Sequence, residues 1–501
     1  MKRDGALTSI WQVETVSTKE NFLSADVYDV VIVGAGITGV SCAIQLASAG
    51  KNCLLLEAAN VGFGSTGGTT AHLNTFFDAS YYEVIKNFGL ENARLLAHAG
   101  REALSIIRQR IMQYRISCDF LERSGYLFAL DEKQAEELEK IKEGSDQVGI
   151  TMQFTSKNPF PIPFTKMVAI PGQAQFHPIK YIQSLVQAYL EMGGNLVEQC
   201  RVLKAAESEE DITIETSKGT IKACHLIYAT HIPPGISTMH FFNAPYRSYA
   251  IAVKLKAGTY PQALGYDLQD PYHYYRTQII DGQEYLIAGG EDHKTGHMED
   301  NGACFKKLEH YVRQYFDVKE VAYHWSSQYY IPTDGLPFIG IAPGNTHRTL
   351  IATGYNGNGM MFGTLAAKIC ADLIIKGQSE YRELFNPSRI KPMAGFSNTL
   401  KEALDVTVHF VKDKLSVEKI NSLAELSDNE AKVVKYEGHS YAIFKDHFGT
   451  SHILKSSCTH MGCNVSWNSA EQSWDCPCHG ARYDIEGNVL TAPAIKGLAQ
   501  W

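Results

Sequence analysis

Six potential metal-ligating side chains lie close together near the C-terminus of this 501-residue chain. Two short segments, CTHMGC at 458–463 and CPCHG at 476–480, hold four cysteines and two histidines. Zinc would take four such ligands in a tetrahedron. A [2Fe–2S] cluster with mixed ligands takes two cysteines on one iron and two histidines on the other. The residues alone leave both metals open, although a Cys-x-His and a Cys-x-x-His segment match the second.

A glycine-rich turn near the N-terminus has the residues of a dinucleotide site. In VIVGAGITG, Gly34, Gly36 and Gly39 follow an apolar, β-prone run and open a segment with helical spacing, and Glu57 ends the next apolar run. Glycines let the backbone approach a pyrophosphate at a helix N-terminus, and the carboxylate accepts hydrogen bonds from ribose hydroxyls. A structural turn without ligand is the alternative, because glycine-rich turns are common. The pattern predicts a βαβ unit that binds a dinucleotide.

The elements that position the glycine turn belong to an α/β region. Residues 82–114 and 132–147 have the composition and spacing of amphipathic helices. Strand-like runs dominate from about 118 to 330, and a further strand, glycine-rich turn and helix occupy 350–376. The alternation of helices and strands predicts a large domain built around mixed sheets.

The composition changes after Lys376, and a Pro- and Gly-punctuated linker follows at 386–395. Residues 399–415 carry an apolar helical face suited to docking two domains. Short strands with tight turns follow, including a hairpin around Glu437-Gly438. The predicted organisation is an N-terminal extension at 1–25, an α/β domain at 26–385, a linker with a docking helix at 386–417 and an all-β domain at 418–501.

Composition and charge are those of an ordinary soluble protein. The 46 basic and 54 acidic residues give a net charge of −8, so no basic surface for nucleic acid or anionic lipid is expected. The first twenty-five residues contain no continuous apolar segment of the kind that forms a secretory signal. Glycines interrupt the longest apolar stretch, Val27 to Ala49, which argues against a membrane span. We expect a cytoplasmic protein without a transmembrane segment.

Several separated motifs resemble the FAD oxidoreductases of the D-amino acid oxidase and glycine oxidase group over about residues 25–380. They are the turn at Gly34, the loop GFGSTGGTTAH after Glu57, and the late segments PTDGLPF and ATGYNGNGMMFGT. The resemblance implies a glutathione-reductase-type FAD-binding Rossmann domain with an interleaved mixed-sheet substrate domain, and non-covalent FAD. The FAD contacts that it implies are Gly34, Gly36, Gly39, Glu57, Thr66, Thr70, Val202, Asp334, Gly354, Gly357, Asn358, Gly359 and Met360.

The C-terminal segments CTHMGC and CPCHGARYD, with TAPA at 491–494, resemble the Rieske [2Fe–2S] proteins of respiratory complexes over about 418–501. Ala481 replaces a serine that donates to a cluster sulfur in many high-potential relatives, whereas Tyr483 matches the other hydroxyl donor, so a mid-range potential is expected. The resemblance implies a small all-β domain. The implied cluster ligands are Cys458, His460, Cys476 and His479, and the implied disulfide joins Cys463 to Cys478.

Together the two resemblances imply a protein of α/β + β fold class that is a FAD-dependent oxidoreductase. Electrons would pass between an amine-like organic donor, FAD, the cluster and an external one-electron partner. Candidate substrate contacts are Arg247, Arg276 and Tyr329. Tyr329 stands where amino-acid-oxidising relatives often carry an arginine that clamps the substrate carboxylate, which argues against an amino-acid donor. For the two arginines a structural ion pair is the alternative, and no catalytic base is assigned.

The sequence leaves the direction of electron flow open. One alternative is a ferredoxin-fed flavin reductase or monooxygenase, and another is a non-catalytic redox carrier or sensor. The expected electron partner is a quinone, a cytochrome or a ferredoxin-like protein, and no nucleic acid partner is expected.

Overall fold

The computed structural model describes residues 3–12, 27–256, 258–344, 347–389, 418–419 and 426–501. The docking helix predicted at 399–415 lies outside these residues. No helix in the described part of the chain is long and apolar enough to cross a bilayer.

The first sheet carries the glycine turn and has eight strands. Its main path runs β16-β17-β10-β1-β2-β7, and the strands from β17 to β7 are parallel. The inner strands are apolar and buried because helices cover the sheet. The strands are β1 (Val27–Val33), β2 (Cys53–Leu56), β7 (Asn195–Val197), β8 (Val202–Glu207), β9 (Ile212–Thr216), β10 (Gly219–Tyr228), β16 (Phe338–Ile341) and β17 (Thr349–Thr353).

Nine helices occur in the described residues, and α1 packs against α6 and α8 beside the first sheet. The helix predicted at 82–114 is divided in two, because Gly89 adopts a φ of +86° between α3 and α4. The helix predicted at 132–147 has those bounds in the structure. The helices are α1 (Ile37–Ser48), α2 (Ser65–Gly68), α3 (Tyr81–Phe88), α4 (Leu90–Gln113), α5 (Glu132–Gln147), α6 (Pro178–Glu191), α7 (Asn301–Tyr315), α8 (Gly359–Lys376) and α9 (Arg382–Phe385).

The second sheet is mixed and has nine strands, with the path β15-β11-β14-β13-β12-β4-β6-β3 and β5 beside β6. Its segments alternate along the chain with those of the first sheet, as predicted for an interleaved substrate domain. The strands are β3 (His72–Leu73), β4 (Leu121–Ala129), β5 (Gln153–Phe154), β6 (Lys166–Gln175), β11 (Asn243–Leu255), β12 (Leu264–Asp267), β13 (Tyr274–Ile280), β14 (Gln283–Lys294) and β15 (Val318–Pro332).

The C-terminal domain contains two four-stranded sheets, which confirms the predicted α/β + β fold class. The predicted hairpin joins β19 to β20 through Glu437 and Gly438, which both have positive φ, as a two-residue hairpin turn requires. The strands of the C-terminal domain are β18 (Glu418–Lys419), β19 (Ala431–Tyr436), β20 (His439–Lys445), β21 (Ser451–Lys455), β22 (Ser466–Asn468), β23 (Ser473–Asp475), β24 (Arg482–Tyr483) and β25 (Val489–Thr491).

Candidate functional site

The glycine turn between β1 and α1 leaves no room for side chains at two positions. Gly34 has a φ of +101°, and a Cβ on Gly39 would lie 1.7 Å from the carbonyl oxygen of Gly34. The carboxylate of Glu57 accepts hydrogen bonds from the backbone N–H groups of Ala35 and Ala59, both at 2.8 Å. Burial raises the pKa of Glu57, and these two hydrogen bonds oppose that rise. The turn and the carboxylate therefore form one well-defined corner.

A cavity of about 510 Å³ extends from this corner along the N-termini of α1 and α8. Neither helix is capped by the side chain of its first flanking residue, which leaves the positive helix ends facing the cavity. This arrangement fits a pyrophosphate and the electron-rich edge of a reduced flavin. Ten predicted FAD contacts line this cavity: Gly34, Gly36, Glu57, Thr66, Thr70, Val202, Gly357, Asn358, Gly359 and Met360.

The other three predicted FAD contacts lie outside this cavity. Gly39 is packed beneath the first turn, and Gly354 has a φ of +76° where a Cβ would meet the Asn243 side chain. Asp334 accepts two hydrogen bonds from the Arg389 guanidinium, from Nε and Nη2, both at 2.8 Å. Gly39 and Gly354 therefore allow tight packing of the backbone, and Asp334 forms an ion pair with Arg389.

The predicted cluster ligands lie close together in the C-terminal domain. Cys458 and Cys476 are buried with their side chains hydrogen-bonded, and the Tyr483 hydroxyl lies 3.1 Å from the sulfur of Cys458. The rings of His460 and His479 are 4.9 Å apart, and both ring nitrogens of buried His479 lack a hydrogen-bond partner. Buried polar atoms without partners are rare in folded proteins, so this donor set fits a bound [2Fe–2S] cluster.

A disulfide joins Cys463 to Cys478 and links the two ligand loops. Each loop also closes on itself through a tight turn, in which Gly462 N–H donates to the carbonyl of Cys458 and Gly480 N–H donates to the carbonyl of Cys476. The loops therefore present the donor side chains from a cross-linked backbone.

Strand β15 separates the cluster loops from the large cavity. Gln328 Nε2 donates to the carbonyl oxygen of Gly480 at 2.9 Å, and the Tyr330 hydroxyl donates to that of His479 at 3.3 Å. Both Gln328 and Tyr330 also line the large cavity, as does the C-terminal-domain segment from Leu490 to Ile495, apart from Pro493. One strand of the α/β domain thus touches both sites.

The α/β domain covers His460 and His479, the two predicted histidine ligands. The ring of His240 lies 4.6 Å from that of His460 and 5.9 Å from that of His479. The Gly235 N–H donates to the carbonyl of Pro493 at 2.8 Å beside them. Burial lowers the pKa of His240 to about 4, so it is neutral at pH 7 and does not oppose a nearby metal centre by charge.

A second cavity of about 450 Å³ adjoins the first, and its lining in the described chain contains carboxyl groups but no arginine, lysine or histidine. Tyr329 lines both cavities and donates from its hydroxyl to Oδ2 of Asp292 at 2.7 Å, while Oδ1 of Asp292 has no partner. Burial raises the pKa of Asp292 to about 7. The acidic lining residues are Asp78, Glu83, Asp270, Asp292 and Asp334.

Of the three predicted substrate contacts, the structure places only Tyr329 at a cavity. Arg276 donates from Nη1 to the carbonyl oxygens of Thr70, Ala71 and Phe176, and therefore supports the cavity loop from behind. Arg247 faces the C-terminal domain, with Nη1 bonded to Ser326 and Nη2 3.6 Å from a carboxylate oxygen of Asp475.

The contacts of these two arginines in the structure are with other parts of the protein, and their contact with substrate stays a prediction. Asp78 and Asp292, which line the second cavity, were not predicted from the sequence as site residues. The sequence feature related to them is Tyr329, which stands where relatives often carry an arginine. A neutral hydroxyl at this position can donate a hydrogen bond to a carboxyl group, as it does to Asp292.

Comparisons with known proteins agree with this geometry. The family model described as FAD dependent oxidoreductase matches residues 29–373, and that of the Rieske [2Fe-2S] domain matches residues 416–501. A Bacillus subtilis protein described as a Rieske 2Fe-2S iron-sulfur protein, YhfW, is 31% identical over 94% of this chain and 93% of its own. Gamma-glutamylputrescine oxidoreductase of Escherichia coli is 25% identical over 78% of this chain and 93% of its own.

Among solved structures, glycine oxidase from Geobacillus kaustophilus has the same fold in the α/β part. The TM-score is 0.60 at 19% identity, covering 72% of this chain and 99% of that one. The dinucleotide cavity, the cluster loops and the two family matches lead to one conclusion. The chain belongs to the FAD dependent oxidoreductase family, binds FAD, and carries a C-terminal Rieske domain that binds a [2Fe–2S] cluster.

Proposed function

We propose that this protein oxidises an amine-like organic donor at FAD and passes the electrons through the Rieske cluster to an external acceptor in the cytoplasm. The acceptor is a one-electron carrier: a quinone, a cytochrome or a ferredoxin-like protein. When bound, FAD supplies two-electron oxidation of the donor and the cluster supplies one-electron transfer. Oxidation of an amine to the imine level releases two electrons and two protons, and the electrons leave the protein one at a time.

The position of β15 carries this proposal. Successive side chains of a strand point to opposite faces, so Gln328 and Tyr330 reach the cluster loops while Tyr329 reaches Asp292. Gln328, Tyr329 and Tyr330 therefore together contact the large cavity, the second cavity and the cluster loops. This arrangement around β15 supports a route from donor to cluster.

The charge of the second cavity supports a cationic donor. Asp292 accepts from Tyr329 and Asp78 accepts from the Gly357 N–H at 2.7 Å, so each carboxylate keeps capacity for another donor group. No arginine, lysine or histidine lines this cavity within the described residues. A substrate carboxylate would find no cationic partner there, whereas an ammonium group would form charge-assisted hydrogen bonds.

The direct test is an anaerobic titration of the purified protein with amines, amino acids and hydroxy acids. Visible absorption follows the flavin, and EPR follows the reduced cluster. The proposal expects amines to bleach the flavin and to produce the Rieske EPR signal in the same sample. If reduced ferredoxin reduces the flavin while none of the organic donors does, electrons flow inward and the proposal fails.

Asp292→Asn is expected to weaken donor binding and to remove its pH dependence. The Asp292 carboxyl is neutral below its pKa of about 7 and charged above it, so wild-type affinity for a cationic donor should rise between pH 6 and pH 8. A charge-assisted hydrogen bond contributes about 1.5–3 kcal/mol, so KM in the variant should rise about 10- to 100-fold at pH 8. Steady-state kinetics against pH would measure this.

Tyr329→Phe is the matched control, because it keeps the charge and removes only the hydroxyl. The Tyr329 hydrogen bond lowers the pKa of Asp292, so its loss should move the midpoint of the pH profile upward without abolishing it. An Asp292→Asn enzyme that retained the wild-type KM and pH profile would place the donor elsewhere.

A further inference from the structure

Residues Arg3–Gln12 run along the seam between the α/β domain and the Rieske domain, and five of these ten residues are buried. We propose that this segment is an interdomain clamp, in which Arg3 and Asp4 are positioning residues that hold the cluster loops against the FAD cavity. The inference rests on the proposed electron transfer between FAD and the cluster. It assigns a function to a stretch for which the sequence predicts only an extension.

Arg3 forms the first attachment. Its Nη2 donates to both carboxylate oxygens of Glu471 in the Rieske domain, at 2.7 and 2.8 Å, and its Nη1 donates to the carbonyl of Ser326 in β15 at 2.7 Å. The side chains of Arg3 and Glu471 are 1% and 0% exposed. One buried guanidinium thus joins the Rieske domain to the strand that separates the two redox sites.

Asp4 forms the second attachment, one residue later. Arg482 Nη1 donates to the Asp4 carbonyl at 2.7 Å and to its Oδ2 at 3.1 Å, while Arg482 Nε donates to Asp475 at 3.0 Å. Asp475 directly precedes the ligand Cys476. The clamp is therefore bonded to the hairpin of β23 and β24, from which one cluster loop projects.

The same segment is also bonded to the loop that lines the FAD cavity. Asp4 N–H donates to the carbonyl of Phe63, the Ser9 hydroxyl donates to that of Gly67 at 2.7 Å, and Trp11 Nε1 donates to that of Thr69. Trp11 is fully buried, and the Arg276 guanidinium lies over its ring. One peptide segment contacts the backbone around FAD and the backbone around the cluster.

The charges of this seam are balanced across the domain boundary. Three arginines face three carboxylates, and the clamp contributes one of each sign. Separating the domains would leave Glu471 and Arg482 without their clamp partners, and an unpaired buried charge is strongly unfavourable. The members are Arg3, Arg247, Arg482, Asp4, Glu471 and Asp475.

A tether alone keeps two domains near each other but does not fix the distance between their cofactors. Fixed positions matter because small misplacements of reacting groups reduce rates steeply. The clamp therefore determines the rate of transfer between FAD and the cluster, and not the ability of either site to hold its cofactor.

The test uses full-length holoprotein with the substitutions Arg3→Gln, Asp4→Asn and Glu471→Gln. Photochemically generated deazaflavin radical, with EDTA as electron source, reduces the FAD in a flash, and subsequent cluster reduction is followed by absorption and EPR. Hydrogen–deuterium exchange over residues 471–483 reports docking without any electron transfer. Arg94→Gln is the matched control, because its partner is the exposed Glu91.

We expect Arg3→Gln and Asp4→Asn to slow cluster reduction at least about tenfold and to increase exchange over 471–483, with FAD content, iron content and cluster potential unchanged. Arg3→Gln combined with Glu471→Gln should be no slower than the slower single variant, because the two residues act as one pair. Arg94→Gln should match wild type.

Wild-type transfer rate and exchange in both clamp variants would overturn the clamp and leave the proposed function intact. So would loss of FAD or iron in these variants, since the segment would then support a cofactor site and not the docking. A wild-type protein that never moves electrons between FAD and the cluster would instead overturn the proposed function.

Discussion

Replacing Cys476 with serine should eliminate the [2Fe–2S] cluster and leave FAD bound. Cys476 is buried at the base of its loop, beside Cys458, and serine offers a poor ligand for iron at this position. The dinucleotide cavity owes its glycine turns and helix ends to residues of the α/β domain, so it should keep its cofactor. Iron analysis should fall to background, the Rieske EPR signal should vanish, and flavin absorption should remain.

The same variant separates the two halves of the proposed reaction. A donor should still bleach the flavin, while reduction of any one-electron acceptor should stop. Cys224→Ser is the matched control, because Cys224 is a free cysteine in β10 of the α/β domain. Retention of a Rieske signal in Cys476→Ser, or continued reduction of the acceptor without it, would contradict the assigned ligand or the route through the cluster.

The sequence supports specific predictions for both cofactor sites because the predicted residues are close together along the chain. Cys458 and His460 lie on one loop, and Cys476 and His479 lie on another, so the local spacing sets the donor geometry. The glycine turn similarly depends on one strand, one turn and one helix. Such constraints hold whatever the rest of the fold does.

The roles of the arginines could not be predicted in the same way, because they depend on what lies opposite each side chain. Arg247 faces Asp475, which is far away along the chain, and Arg276 faces carbonyl groups of the cavity loop. Sequence shows the cation and the strand, but not whether the end of that strand meets substrate, backbone or another domain. Polar residues on β strands have this ambiguity in general.

Asp292 was missed for a related reason. Asp292 lies near the end of β14, next to His293, whereas Tyr329 lies in β15. In the sheet these two strands are separated by β11, whose Tyr246 pairs with Tyr329. Only the assembled sheet brings Asp292 within hydrogen-bond distance of Tyr329. The burial that raises its pKa also comes from the packed domain, and no local pattern encodes it.

The N-terminal contacts show the same limit for charged residues. Arg3 and Asp4 lie in the segment that the sequence predicts only as an N-terminal extension, and no role is predicted for them. Their partners, Glu471 and Arg482, lie at the other end of the chain. Such long-range pairs become visible only when both domains have been placed.

Gly39→Ala should weaken FAD binding. The added Cβ would lie 1.7 Å from the Gly34 carbonyl oxygen, far inside contact distance, and neither atom can rotate away because the backbone fixes the positions of both. Either α1 moves away from β1 or the turn opens, and overpacking of this kind costs about 1–3 kcal/mol. Because the helix start and the turn form the cofactor corner, we expect FAD affinity to fall about 10- to 100-fold, measured by flavin release on dilution.

Gly302→Ala is the matched control for this change. Gly302 lies in α7, and the nearest neighbour of an added Cβ would be the side-chain oxygen Oδ1 of Asp300 at 3.2 Å. This oxygen caps α7 by accepting from the Ala303 N–H, so a small local adjustment is expected, but no residue of α7 lines the FAD cavity and FAD affinity should stay near wild type. The Rieske EPR signal should survive in both variants, because the cluster loops are held by their own disulfide and turns. Normal FAD affinity in Gly39→Ala would mean that this corner yields more easily than its backbone contacts indicate.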